Sequence, residues 1–413
     1  MKVAVPAETI PGERRVAVTP ETVALMVRAG LEVAVQSGAG THCSIPDRAY
    51  EDAGAEVVGA VDAGVVDVLL HVRPLHPRVP QRLRQGAITI GLGSPSTQLP
   101  TVKALAEAHV TSFALELVPR ISRAQSMDAL TSQALVAGYR CVIEASMRLP
   151  RFLPLFMTAA GTVPPASVVV LGAGVAGLQA IATAKRLGAK VSAYDVRPAS
   201  ADEVRSMGGK FIELDLEPIE GTGGYAREMA QDRAARQQQL LAPHVASADV
   251  LITTAAIPGR PAPQLVTRAM LAAMKPGSVV IDLAAESGGN VEGSVPGEDV
   301  QVPCEQDGTV VLVGMKDAAS TMPVDASRLY AKNVVNLLLL MTADGLVTPD
   351  FGDEVVQGAC VTHDGAVQHA PTAELLGLAP AAQPAAEQPD PPAGTGATAV
   401  EAPDEPTSTT EES

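Results

Sequence analysis

Tryptophan is absent from this 413-residue chain and aromatic residues make up only 2 % of it, so its cores have to be assembled from Val, Leu, Ala and Met. Cysteine is scarce too. The four present (Cys43, Cys141, Cys304 and Cys360) form no CxxC pair and have no histidine at ligand spacing. That excludes a structural zinc motif and a disulfide framework, and points to a reducing compartment. Basic charge is in deficit, with 30 Lys and Arg against 46 Asp and Glu, so nothing resembles a nucleic-acid footprint. Long unbroken apolar runs are also missing. Phe152–Ala184 carries no charge and has the length of a membrane span, but Pro164-Pro165 and several glycines interrupt it. VVNLLLLM, residues 334–341, is too short to cross a bilayer. The apolar run in MKVAVPAET is too short for a signal peptide and reads as a first strand.

What the chain does have is alternation. Strand signals fall at Lys2–Val5, Glu32–Val35, Ala55–Val58, Val66–His71, Ala87–Gly91 and Val110–Ala114. A helix is expected to start at Thr19-Pro20-Glu21, with a hydroxyl N-cap, proline in the first turn and an acid suited to the dipole, and to end near Gly30. A long helix over about 128–148 leads to a second series of strands at Val168–Leu171, Val191–Tyr194, Phe211–Leu214, Val250–Thr253, Ser278–Leu283 and Thr309–Val313. Another helix, about 325–341, returns the chain, and Phe351–His369 reads as short strands and turns added to the first domain. The expected architecture is α/β: two Rossmann-like domains joined by long helices, the second a doubly wound parallel sheet. The boundaries are 1–130 plus 320–377 for the first, 131–319 for the second, and 378–413 for a tail. That tail holds seven acids, no base, and much Pro, Ala and Thr, the composition of a disordered solubilising end or tether.

The sharpest motif is SVVVLGAGVAG, residues 167–177, followed by KVSAYDVR. A strand runs into Gly172, Gly174 and Gly177, a helical run follows, and the next strand ends at Asp195. Gly172 permits the turn, Gly174 lets backbone approach a pyrophosphate, and Gly177 lets helix and strand pack closely. The pyrophosphate would sit on free N–H groups at the helix start, and Asp195 would accept from an adenosine ribose, favouring NAD over NADP. Arg197 stays open between a partner for a 2′-phosphate and a solvated strand-end cation.

Further motifs converge on one family: ERRVAVTPETV, VPRISRAQSMDALTSQALVAGYR (residues 118–140), GTGGYAREM, TTAAIPGRPAP and VVIDLAAESGGN. Together with the glycine fingerprint they closely resemble the NAD(H)-binding alpha component of the proton-translocating nicotinamide nucleotide transhydrogenases, over about residues 1–370. Alanine dehydrogenase shares the two-domain architecture. The resemblance implies direct hydride transfer between NAD(H) on this chain and NADP(H) on a separate component, of the Si-side (B-type) class. Proton translocation would belong to a transmembrane component. It also implies a homodimer, activity only with partner subunits, and a cytoplasmic chain held peripherally at the inner face of the cell membrane without inserting.

Residue by residue, the resemblance gives Arg120, Gln125 and Asp128 the catalytic positions, with Ser126, Met127 and Thr131 joining them around the nicotinamide, its ribose and the diphosphate. Gly172, Gly174, Val175, Gly177, Asp195, Val196 and Arg197 would hold the adenosine half. Glu220–Tyr225 would be a mobile loop closing with Gly224 and Tyr225 over the nucleotide. Ala256, before the turn Ile257-Pro258-Gly259, would face the cofactor crevice. No metal site is expected. On spacing alone Asp128 could equally cap a helix, Gln125 could be a loop residue, and Arg123 reads as a solvated neighbour. Three departures from the family pattern stand out: Thr131 where serine is usual, Ala256 for leucine and Arg260 for lysine.

An alanine dehydrogenase needs an arginine for the substrate carboxylate and a lysine and histidine for the rest of its chemistry. Arg15 matches the arginine, but His71 stands at the lysine position and Gly91 at the histidine position. Glu286 falls near that family's late aspartate without restoring the site. The third possibility is a non-catalytic NAD-sensing module, which fold alone does not distinguish.

Overall fold

Runs of Val, Leu and Ile bounded by Gly and Pro suit strands covered on both faces, which is how parallel sheets are built. The computed structural model describes residues 1–215, 224–256 and 261–379, with residues 224–231 by their backbone alone. One sheet has eight strands in the order Ala366–Val367, Cys360–His363, Thr111–Ala114, Ile88–Gly91, Val68–Leu70, Lys2–Val5, Glu32–Gln36 and Glu56–Val58. The six strands before residue 115 are mutually parallel, and the 360–367 hairpin adds antiparallel to Thr111–Ala114. The other sheet runs Lys210–Phe211, Lys190–Tyr194, Ser167–Leu171, Val250–Thr253, Val279–Asp282, Gly308–Gly314 and Asp299–Cys304. Both sheets reverse strand order between their first and fourth strands. The carboxyl ends there are the crevices where open α/β sheets bind ligands.

All twelve expected strands form, with ends shifted by a few residues. The Asp299–Cys304 strand was not expected. It is antiparallel and on the edge, and its alternating exposure and Pro303 disguise it in a search for buried parallel strands. The uncharged stretch also holds a hairpin, Phe156–Thr158 with Gly161–Val163. Between Phe351 and His369 a short helix, Glu354–Ala359, precedes the expected strands. No helix among the described residues is long and apolar enough to cross a membrane.

The Pro20–Arg28 helix starts and stops as its capping signals predict, with Gly30 at φ +82°. A longer helix, Ala129–Arg148, ties the two sheets together. It packs on Val175–Arg186, which follows the glycine turn, and on Pro323–Leu340. At the first of these crossings Gly138 meets the backbone of Ala176 so closely that a Cβ would overlap the Ala176 carbonyl.

Candidate functional site

The glycine turn leaves the first strand of its sheet at the order reversal. Gly172 has φ +103°, and a Cβ there would lie 2.7 Å from Thr254 Oγ1 and 3.1 Å from the Ala255 nitrogen. A Cβ on Gly177 would overlap the Gly172 carbonyl, so this glycine fixes the helix against the turn. Around Gly174 a Cβ would meet nothing within 4 Å, which leaves backbone open to a ligand at the start of the Val175–Arg186 helix. An open helix start of this kind is what a pyrophosphate-binding turn requires.

Asp195 directly follows the neighbouring strand, Lys190–Tyr194, and closes over the same turn. Its Oδ2 accepts from the Ala173 N–H at 2.7 Å, while Oδ1 accepts from the Arg197 backbone at 2.9 Å and Nε at 3.0 Å. Burial pushes the carboxyl up, but the Arg197 and Ala173 hydrogen bonds outweigh it and hold it below the usual carboxylate range. Arg197 is therefore paired rather than simply solvated. Val175 and Val196 are exposed beside the turn.

Across the reversal, Thr254 Oγ1 donates to the Gly172 carbonyl at 3.1 Å, and Ala256 is exposed. A side-chain brace that motif reasoning misses holds this loop. Asn290, fully buried, donates to the Ala255 and Pro263 carbonyls at 2.8 Å each and accepts from the Ala255 N–H at 3.0 Å. Asp282, also fully buried, accepts from the backbone of Ala284, Asn290 and Val291 and from Thr253 Oγ1. Both lie within the IDLAAESGGN stretch, where a buried acid and amide flanking a Gly-Gly pair were the available signal. Residues 257–260, including Arg260, and 220–223 of the expected mobile loop lie outside the described residues. Gly224 and Tyr225 begin the Gly224–Ser247 helix, with their side chains outside the description.

The second group of site residues comes from the first sheet. After Thr111–Ala114 the chain forms a 3-10 turn, Ser122–Met127, and then the Ala129–Arg148 helix. Arg120, Gln125, Ser126 and Thr131 are exposed. Asp128 is the N-cap, accepting from the Thr131 N–H at 2.9 Å and from Thr131 Oγ1 at 2.6 Å. Arg123 is not a free solvated neighbour, because it bonds Asp353 twice at 2.8 Å and also Glu354. Met127 is spent on packing in the first sheet's core. The fold thus groups the 120–131 residues in one place and the glycine turn with Asp195 in another. Asp128 stands about ten residues, roughly 15 Å, along one helix from the Gly138 crossing.

Near the first sheet's own reversal the dehydrogenase-like residues are each engaged by neighbouring groups. Arg15 donates to Glu13 through Nε at 2.9 Å and NH2 at 2.7 Å, and through NH1 to Gln133 at 2.9 Å. Glu13 also accepts from Ser320 Oγ at 2.7 Å and pairs with Arg73, which reaches Asp317. Burial pushes Glu13 up, but the Arg15 bonds and charge overcome it and hold it at about 2. His71 is buried, bonds the Arg73 carbonyl through Nδ1 at 2.7 Å, and is pushed down to about 4 by burial. Glu286 accepts from the Asp317 N–H at 2.9 Å, and burial raises its carboxyl. Among the described residues no group of three or more His, Cys, Asp or Glu is placed to hold a metal.

The chain that carries this glycine turn, its braced loop and a second polar group one helix away matches known proteins. Residues 4–137 match the N-terminal domain model, and residues 141–370 the C-terminal domain model, of alanine dehydrogenase/PNT. The chain belongs to this family. It is 46 % identical over 381 residues to an NAD(P) transhydrogenase subunit alpha chain of Rhodospirillum rubrum, covering 89 % of this chain and 98 % of that one. The crystal structure of transhydrogenase from Sinorhizobium meliloti superposes with a TM-score of 0.78 at 46 % identity, covering 89 % of this chain and 99 % of the other. An alanine dehydrogenase of Mycobacterium tuberculosis is 34 % identical over 301 residues, 72 % of this chain and 76 % of that enzyme. The chain is a relative of the transhydrogenase alpha subunits.

Proposed function

We propose that this chain is the NAD(H)-binding subunit of a proton-translocating transhydrogenase. It would exchange hydride directly with NADP(H) on a partner component while a membrane component moves protons. Bound NAD(H) supplies the nicotinamide carbon that gives or takes the hydride. The chain's own task is positioning, because hydride transfer needs reacting carbons roughly 3–3.5 Å apart and no protein nucleophile. Gly172, Gly174 and Gly177 admit the diphosphate to the helix start, Asp195 takes the adenosine ribose, and Val175, Val196, Arg197 and Ala256 line that half. Arg120, Gln125, Ser126, Asp128 and Thr131 hold the nicotinamide half, with Met127 setting the loop from below. Gly224 and Tyr225 belong to the closing segment.

The observation that carries this reading over alanine oxidation is the state of Arg15. Arg15 is buried, and its Nε–NH2 edge, the side a carboxylate would take in a two-bond grip, is already occupied by Glu13, while NH1 is held by Gln133. A homodimer is supported by the exposed apolar side chains of Met147, Phe152, Leu155, Phe156 and Met157, with Met147 73 % and Met157 77 % exposed. With no spanning helix among the described residues, the chain would sit peripherally at the inner face of the cell membrane through its partner subunits.

The test is NADPH-driven reduction of an NAD analogue by the purified chain, with and without an NADP(H)-binding component, beside an L-alanine plus NAD control. Transfer only with the partner supports the reading. Tight NADH binding without transfer would point to a sensor, and alanine turnover to a dehydrogenase.

A further inference from the structure

A chain of side-chain hydrogen bonds starts at Arg15 and ends on the loop that carries Gln125 and Asp128. Arg15 NH1 donates to Gln133 Oε1 at 2.9 Å, and Gln133 Nε2 donates to Ser132 Oγ at 3.0 Å. Ser132 Oγ donates to Asn333 Oδ1 at 2.7 Å, and Asn333 Nδ2 donates to the Ser126 carbonyl at 2.8 Å. Asn336, three residues on along the Pro323–Leu340 helix, adds a second donor to that carbonyl at 3.1 Å. Arg15, Gln133 and Asn333 are buried, which shields the Arg15 end of the chain, while Ser132 is half-buried and Ser126 is exposed.

The chain has one direction. Arginine offers only donors, so the amide oxygen of Gln133 must face it. Its NH2 then faces Ser132 and the Ala326 carbonyl, 3.2 Å away. The Ser132 hydroxyl, accepting from Gln133, donates its one O–H to Asn333 Oδ1 at 2.7 Å, nearer than its other acceptor, the Ala129 carbonyl at 3.2 Å, and the Asn333 NH2 is left for Ser126. Each amide orientation is fixed by its predecessor, and the first is fixed by a permanent charge that Glu13 holds in place. In a connected network anchored at a buried end such bonds reinforce one another.

We propose that Arg15, Gln133, Ser132 and Asn333 are positioning residues: their one-way hydrogen-bond chain clamps the Ser126 carbonyl and so sets where Gln125 and Asp128 present their side chains. This rests on the transhydrogenase reading above. None of the four need touch the cofactor. The arginine that matches a substrate-binding residue in a dehydrogenase would here act at a distance, as the fixed end of the clamp.

The full chain with its NADP(H)-binding component tests this through Asn333→Asp, which keeps shape but sets an anionic oxygen against the Ser126 carbonyl. The expected result is a transfer rate at saturating nucleotides about tenfold lower, a loss of about 1.4 kcal/mol, with the NADH dissociation constant within about threefold of wild type. Ser132→Ala, a smaller cut that leaves the helix intact, is expected to lower the rate about threefold. Because it breaks the chain upstream of Asn333, it should add little in the double variant. Variants that melt earlier yet transfer hydride at the wild-type rate overturn the proposal and leave the network as packing. A wild-type chain that binds no NADH overturns the cofactor reading and the clamp with it. A wild type that binds and transfers, beside variants that match it, overturns the clamp alone.

Discussion

His71 and Gly91 compete for one volume. A Cβ built on Gly91 would overlap His71 Nδ1 and the His71 carbonyl, and the imidazole is already committed to the Arg73 carbonyl. A histidine at 91 would have to displace a buried ring. Gly91→His should therefore destabilise the fold by about 1–3 kcal/mol and give no alanine oxidation, as followed by thermal melting and by NADH formation from L-alanine. Turnover of alanine by this variant would show that the dehydrogenase site is one substitution away.

Gly174 and Gly177 separate phosphate approach from packing. Nothing surrounds a Cβ on Gly174, so Gly174→Ala should keep its stability within about 0.5 kcal/mol. It should still weaken NADH binding about tenfold by intruding on the diphosphate. Gly177→Ala forces its methyl onto the Gly172 carbonyl and should lose both stability and binding. Equal melting temperatures for the two variants would refute this division.

Asp128 has two duties that one substitution can separate. Its bonds to Thr131 cap a twenty-residue helix, and loss of such a cap costs about 1 kcal/mol. Asp128→Asn retains an acceptor for the Thr131 N–H, so stability should change little. Hydride transfer should fall far more than NADH affinity. Thr131→Ser keeps the hydroxyl and should transfer at close to the wild-type rate. A parallel fall of affinity and rate in Asp128→Asn would reduce Asp128 to a binding group.

A half-buried carboxyl and a buried imidazole at the first sheet's reversal give opposed pH dependence. Burial lifts Glu8 from the usual 4.5 to about 7, so its contribution to stability is full below 4.5 and is lost as pH rises through 7. Burial drops His71 from 6.5 to about 4, so its contribution is full above 6.5 and is lost as pH falls through 4. Between 4.5 and 6.5 the two slopes oppose each other. Glu8→Gln keeps an oxygen for the Val72 N–H, now at 2.6 Å, and removes one slope. Its melting temperature should then climb from about pH 4 to about 6.5, the span of the His71 shift. A profile parallel to wild type would rule out Glu8 as the source.

The exposed apolar hairpin gives a test of assembly. Met157→Glu places a charge on the proposed dimer face without touching either crevice, and should halve the mass seen by sedimentation. An unchanged mass would remove this surface from the dimer.

Much of this fold is legible in the residues themselves. Period and punctuation mark the parallel strands, since runs such as VVVL and VLIT have no other use in a compact chain. The glycine fingerprint carries its own geometry, because each glycine answers a local steric demand. What stays hidden depends on tertiary partners. Asn290 and Asp282 brace a loop 27 or more residues away in sequence, and Asn333 reaches Ser126 across 207 positions. Arg123 reads as solvated because its partners, Asp353 and Glu354, come from a segment whose helix is itself hard to recognise. Edge strands such as Asp299–Cys304 alternate and tolerate proline, and so pass for loop.

The contact of Gly138 with Ala176 makes the two halves of the proposed cofactor site share a spine. The loop ending at Asp128 and the turn ending at Gly174 are the front ends of two helices pressed backbone to backbone. Any side chain at 138 would act as a wedge, prising both ends apart while touching neither. A defect at this remote point would imitate a defect in the cofactor itself.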